Sequence, residues 1–166
     1  MRATRRQFLF VAGATVVLTP ALAWLGRPSP PPLDEKFLFT RTDDAWRKAL
    51  TPVQYRVLRG GATERPFSSP LDRETRCGTF VCAGCAHPLF ASDAKYDSGT
   101  GWPSFWQPLP DAVITKVDTS WLMIRTEVRC ANCGSHLGHV FDDGPRPTGL
   151  RYCMNGVALR FLSCSA

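Results

Sequence analysis

Two matched cysteine pairs, Cys82-Ala83-Gly84-Cys85 and Cys130-Ala131-Asn132-Cys133, constrain this chain more than any other feature. Two C-x-x-C steps supply four thiolates, the tetrahedral donor set of a structural zinc ion. Ala86 and Gly134 follow the knuckles, small residues that let the backbone fold back over a metal. The 44 residues between the pairs far exceed a short zinc ribbon, so the metal is expected to clamp two distant hairpins of one domain. Two disulfides or two redox motifs would use the same residues. A redox C-x-x-C usually stands alone beside a βαβ pattern, however, and no such pattern is visible. Cys77, Cys153 and Cys164 are left over, and one of them is free for chemistry.

The first residues bear on compartment. Thr4-Arg5-Arg6-Gln7-Phe8-Leu9 is a twin-arginine export signature, followed by an apolar run to Leu18 and by Ala21-Leu22-Ala23 as a cleavage site. Residues 1–23 are therefore expected to be a twin-arginine signal peptide, with the periplasm as destination. An uncleaved anchor facing the periplasm is the alternative, although Thr15, Thr19 and Pro20 would make a poor spanning helix. The twin-arginine machinery carries folded proteins, so a thiolate zinc site could be metallated in a reducing cytoplasm first. Loss of Arg2, Arg5 and Arg6 with the signal lowers the formal charge from +6 to +3. No basic run remains, and nucleic acid is not expected as a partner. Residues 24–41, which include Arg-Pro-Ser-Pro-Pro-Pro-Leu at 27–33, read as a Pro-rich linker. The rest, about 120 residues over 42–164, suits one domain with a modest core and a metal staple.

That domain opens with helix signals. Asp43 and Asp44 precede a short helical stretch to Leu50, and Thr51-Pro52-Val53-Gln54 is a capping box with proline at the first helical position. Gly60-Gly61 ends the second helix. Beyond it, glycine, proline and aromatics with short alternating runs argue for antiparallel strands. Strands are expected at Gly78–Cys82, Trp121–Cys130 and Leu150–Phe161, the last interrupted by a turn at Asn155-Gly156. The fold expected is mainly β, with short N-terminal helices.

Cys153 is the best nucleophile. A strand period of two puts Arg151, Cys153 and Asn155 on one face. A guanidinium favours the thiolate, and Asn155 could donate hydrogen bonds into the same site. The bland reading is that Cys153 is a small buried hydrophobe. Gly99-Thr100-Gly101-Trp102-Pro103-Ser104-Phe105-Trp106 either lines a pocket for a methyl- or sulfur-bearing ligand or forms a core cluster under a turn. His136 and His139 follow the second knuckle; four thiolates already close a zinc shell, so acid–base or hydrogen-bonding roles suit them better than ligation.

The segments GATERPF (61–67), CAGC (82–85), KYDSGTGWPSFW (95–106) and RTEVRCANCGSHLGHVFDDGPRPTGLRYCMN (125–155) closely resemble the methionine sulfoxide reductase B family, from about Thr42 to Leu162. The resemblance implies two antiparallel β-sheets with one structural zinc ion away from the active site. It implies reduction of the R epimer of methionine sulfoxide, in proteins or free, through a cysteine sulfenic acid. By position, Cys153 matches the catalytic cysteine, and Cys82, Cys85, Cys130 and Cys133 match the zinc ligands. Trp102 matches the tryptophan that receives the substrate methyl, with Phe105 beside it. His136, His139, Arg151 and Asn155 match polar residues around the nucleophile, and Asp143 lies at a nearby family position.

One departure concerns recycling. Many family members carry a resolving cysteine where this chain has Thr100, so the usual internal disulfide with Cys153 cannot form. Cys77 is the first substitute and Cys164 the other; failing both, a reductant attacks the sulfenic acid directly. A thioredoxin-like reductant is implied in either case. The contrasting function is a non-catalytic zinc-knuckle β domain binding a protein or small ligand, with Cys153 a bystander.

Overall fold

Threonine caps start both helices. Thr42 accepts the Ala45 N–H and opens α1 (Asp43–Ala49), with Asp43 and Asp44 in its first turn and Arg47 and Lys48 in its last. Thr51 opens α2 (Pro52–Leu58) through a complete capping box: its hydroxyl accepts the Gln54 N–H at 3.3 Å, and the Gln54 amide oxygen accepts the Thr51 N–H at 3.1 Å. Such reciprocal caps satisfy N–H groups that a helix end otherwise leaves open. The computed structural model describes residues 37–120 and 123–164. The signal peptide expected at 1–23, linker residues 24–36 and the Trp121 start of the third expected strand lie outside the described residues. Among the described residues, no helix is long and apolar enough to cross a membrane.

Among the described residues nine strands follow: β1 (Gly78–Cys82), β2 (Pro88–Ala91), β3 (Lys95–Tyr96), β4 (Ser104–Phe105), β5 (Val113–Asp118), β6 (Arg125–Cys130), β7 (His136–Phe141), β8 (Arg151–Met154) and β9 (Leu159–Ser163). They form two antiparallel sheets, β2-β1-β9 and β3-β4-β8-β7-β6-β5. The expected mainly β fold with two short helices and a four-cysteine cluster is present. The run expected as one late strand is two strands that leave for different sheets. The 3-10 turn Gly156–Ala158 separates them. A side chain at Gly156 would meet Ser69 Oγ at 2.1 Å, so glycine is what lets the chain turn there.

Aromatic rings fill the core. Phe90 of β2 stacks on Phe105 of β4 with centroids 4.3 Å apart, and Phe80 of β1 meets Phe105 edge-on at 4.9 Å. All three are fully buried, each stabilising the fold by roughly 2–3 kcal/mol. Phe105 is therefore a core residue. Its expected place in the substrate wall is corrected by strand alternation: Ser104 pairs with Cys153 on one face, and Phe105 pairs with Tyr152 on the other.

Candidate functional site

The knuckles are the turns of two hairpins, β1–β2 in one sheet and β6–β7 in the other. They have the same backbone design. The Ala86 N–H donates to Cys82 O at 2.9 Å and the Gly134 N–H to Cys130 O at 2.8 Å; Cys82 and Cys130 donate in turn to His87 O and Ser135 O. Ala86 and Gly134 both take positive φ, 61° and 67°. The four sulfurs lie within 4.8 Å of one another, with Cys82–Cys133 at 3.8 Å and Cys85–Cys130 at 3.6 Å. A tetrahedron with metal–sulfur bonds near 2.3 Å has edges of about 3.8 Å. These separations are far beyond a disulfide bond of about 2.05 Å. Cys82, Cys85, Cys130 and Cys133 thus fit a single metal ion that joins one sheet to the other.

Cys153 lies in β8, between Ser104 of β4 and His139 of β7 in register. It is half-buried and unpaired with another sulfur. Its thiol opens on a small cavity of about 140 Å³ lined by Thr63, Trp102, Arg125, Gly138, His139, Phe141, Cys153 and Asn155. The lining mixes an indole and a phenyl ring with charged and polar groups. The Thr100 hydroxyl stands 3.9 Å from Cys153 Sγ and belongs to a hydroxyl chain through Ser98 to Ser104, at 2.8 and 2.7 Å. Burial pushes the Cys153 thiol up; Thr100, the Arg151 charge and Ser104 pull it down without prevailing. The resting group is thus a thiol, and a base nearby has work to do.

Arg151 is fixed by Asp143, whose two carboxylate oxygens accept its Nε and Nη2 at 2.8 Å each. That pair holds Asp143 below its ordinary range and keeps a positive charge two residues from Cys153. Asn155 lines the same cavity and also ties the backbone around it. Its Oδ1 accepts the Glu64 N–H at 2.8 Å and its Nδ2 donates to Leu137 O at 3.0 Å. Asn155 thus walls the cavity and anchors a turn, and the second hydrogen of its Nδ2 is left to donate into the site.

The histidines separate in role. His139 lines the cavity, while His136 lines a neighbouring cleft of about 540 Å³ that also contains Lys116, Asp118 and Glu127. Three residues apart in a regular strand, they would face opposite sides. A bulge opposite Val128 and Arg129 makes Leu137 the extra residue, and the two rings come within 5.4 Å on one face. His136 Nδ1 lies 2.7 Å from Glu127 Oε1, and His139 Nε2 lies 2.9 Å from Asp118 Oδ2. Burial pulls the His139 pKa down, against the Asp118 hydrogen bond.

Trp102 is held from behind. Its Nε1 donates to Glu64 O at 3.2 Å, and the Glu64 carboxylate accepts the Gly156 and Val157 N–H groups at 2.5 and 3.0 Å. Sequence reasoning missed Glu64, Asp118, Arg125 and Glu127 as site residues. Glu64 stood in a quoted motif without a role, and Asp118 carried no local signal. Cys77 and Cys164 are joined in a disulfide across the open end of the β1–β9 ladder. Cys77, the expected resolving residue, accordingly presents no thiol to Cys153 in this structure.

A family profile described as the SelR domain matches residues 50–163. The chain is similar to proteins named "Peptide methionine sulfoxide reductase MsrB" in several organisms. The Bradyrhizobium diazoefficiens protein is 56% identical over 128 residues, which cover 76% of this chain and 91% of that one. The Leptospira interrogans protein is 56% identical over 122 residues, 73% and 93% of the two chains. The Methanosarcina barkeri protein is 55% identical over 122 residues, 73% and 86%.

Proposed function

The chain belongs to the MsrB family of peptide methionine sulfoxide reductases, and from that membership we propose that Cys153 reduces methionine R-sulfoxide through a sulfenic acid. It is an oxidoreductase acting on methionine sulfoxide. The observation that carries the assignment of the nucleophile is the Cys153 thiol opposite His139 in a cavity walled by Trp102.

In the reaction, the substrate methyl rests against the Trp102 ring and the sulfoxide oxygen faces His139. His139 takes the Cys153 proton as the sulfur attacks the sulfoxide sulfur, then returns that proton to the departing oxygen. The oxygen ends on Cys153 as a sulfenic acid, methionine leaves, and the two electrons come from the cysteine sulfur. Arg151, braced by Asp143, stabilises the thiolate as it forms. A reductant thiol then attacks the sulfenic acid, releasing water and leaving a mixed disulfide that a second thiol opens. A thioredoxin-like dithiol protein suits this step. With Cys77 and Cys164 bonded to each other, it acts on Cys153 directly; Cys77 takes a resolving role only once that bond is opened.

The ion at Cys82, Cys85, Cys130 and Cys133 is zinc on donor chemistry, since four thiolates at tetrahedral separations suit it and leave no open position. It supplies cross-linking of the two sheets and takes no part at Cys153. Substrates are oxidised methionines in proteins, with free methionine sulfoxide also able to enter. Export by the twin-arginine machinery to the periplasm follows from Thr4–Leu9 and is supported by the Cys77–Cys164 disulfide, which suits an oxidising compartment. Cell fractionation of a variant with Arg5 and Arg6 both changed to Lys tests it: retention in the cytoplasm is expected, and unchanged export would overturn the signal. Full-length mass in the membrane fraction would instead favour the anchored form.

The catalytic reading is tested by single-turnover methionine release from R- and S-sulfoxides, with thiols counted by mass spectrometry. Release from the R epimer with oxidation on Cys153 is expected. Release that persists in Cys153→Ser would sink the assignment.

A further inference from the structure

We propose that Asp118 is a positioning residue for the reduction: it holds His139 by Nε2, so that Nδ1 is the nitrogen left to exchange a proton with Cys153 and the bound sulfoxide. This rests on the reading of Cys153 and His139 given above. An imidazole has two nitrogens, and their roles are set by what one of them already bonds. Here Nε2 lies 2.9 Å from Asp118 Oδ2.

That carboxylate has donors on both oxygens. Arg125 Nη2 donates to the same Oδ2 at 2.7 Å, and the Ser120 N–H donates to Oδ1 at 2.9 Å. An oxygen already taken by a guanidinium accepts and does not donate, so the proton between Oδ2 and the ring belongs to Nε2. Nδ1 of the neutral ring is then a lone pair. It can receive the Cys153 proton, and Asp118 stabilises the imidazolium that forms until Nδ1 passes the proton to the sulfoxide oxygen. No proton is gained or lost: the S–H bond of Cys153 is replaced by the O–H bond of its sulfenic acid.

Sheet order makes this possible. Asp118 ends β5 and pairs with Arg125 of β6, while His139 and Cys153 pair between β7 and β8. The His139 side chain reaches past β6, so one carboxylate on the edge strand controls a ring two strands away. The charged or titratable groups around that ring are Asp118 from β5, Arg125 and Glu127 from β6, His136 on its own strand and Cys153 from β8. Among the described residues, Asp118 is the one within hydrogen-bond distance of a His139 nitrogen.

The test uses the mature, zinc-loaded protein and the variants Asp118→Asn and Asp118→Glu. Long-range proton–nitrogen NMR of the wild type should show His139 in the Nε2–H form. In Asp118→Asn, whose amide can donate to Nε2, the ring should switch to Nδ1–H. Single-turnover methionine release should slow by about 100-fold or more, since leaving a catalytic histidine in the wrong tautomer can cost as much as about 10⁴-fold. The acid limb of its pH profile should move down, because the imidazolium has lost its carboxylate. Asp118→Glu should recover part of the rate, and zinc content should match the wild type. A wild-type spectrum showing Nδ1–H overturns the proposal even if no variant folds. A rate within threefold of wild type in Asp118→Asn, with an unchanged pH profile, overturns it as well. Cys153→Ser, run alongside, separates the two claims: a dead Cys153→Ser with a normal Asp118→Asn refutes the positioning role alone, whereas an active Cys153→Ser refutes the site reading beneath it.

Discussion

Replacing Glu64 with alanine removes a side chain that no substrate need touch, yet it should damage both stability and catalysis. Glu64 is 8% exposed. Its carboxylate accepts the N–H groups of Gly156 and Val157, where the chain leaves β8 and one sheet for β9 in the other. In Glu64→Ala both N–H groups lose their partner in a buried setting, at about 1–3 kcal/mol each. Removing a carboxylate that burial holds above its ordinary pKa offsets part of this loss. The net expectation is about 2–4 kcal/mol. Glu64→Gln keeps one acceptor oxygen and should lose about half as much. Urea denaturation with a constant m-value measures the loss, and zinc content confirms the fold. A further signature is pH. A raised folded pKa means the folded chain binds this proton more tightly than the unfolded one. The contribution is then full below about pH 4.3 and drains as pH rises through the folded value. Glu64→Gln should flatten that slope. A loss in Glu64→Ala below about 1 kcal/mol, or equal slopes in wild type and Glu64→Gln, would refute this account of the turn.

Metal removal should be felt as unfolding rather than as a change in chemistry. Stripping the ion with a chelator, or Cys130→Ser, should lower thermal stability and activity together, because binding and folding are coupled; a metal-free protein with full activity and an unchanged Tm would contradict the clamp. Opening the Cys77–Cys164 bond by changing both residues to serine should cost about 2–4 kcal/mol, given the 87-residue separation that it spans, while single-turnover methionine formation stays intact. Reduced single turnover in that double variant would mean that the bond serves the active site. Trp102→Ala should lower kcat/KM by about 10- to 100-fold, the worth of roughly 1–3 kcal/mol of apolar contact, with Trp102→Phe recovering much of it. Equal kinetics for all three would place the substrate methyl elsewhere.

Features encoded over a few consecutive residues could be read directly from the chain. The capping box at Thr51–Gln54 and the turns of the two knuckles form as expected, because each is closed by bonds between residues at most five apart, and the β1 strand at Gly78–Cys82 shows in its local run of strand-forming residues although its partners in β2 and β9 are distant. The late run at 150–161 was legible as extended chain with a break at Asn155-Gly156. Its switch between sheets was not, because the switch depends on Glu64, more than 90 residues earlier. Period-two reasoning put Arg151 and Cys153 together correctly. It had no means of placing Phe105, which needs to be known as the neighbour of Tyr152 rather than as one aromatic in a loop.

The chain by itself determined the mainly β class, the four-sulfur cluster and the family, since motif spacing and backbone turn geometry are local properties. Only the tertiary structure decided what surrounds Cys153. The bulge at Leu137 puts His136 beside His139, sheet order brings Asp118 to Nε2, and the Cys77–Cys164 bond takes up the two remaining cysteines. These contacts join residues 21 to 87 positions apart, or turn on a one-residue slip of register. Such a slip reverses which face a side chain takes without changing the local pattern, so it is settled by packing of whole strands.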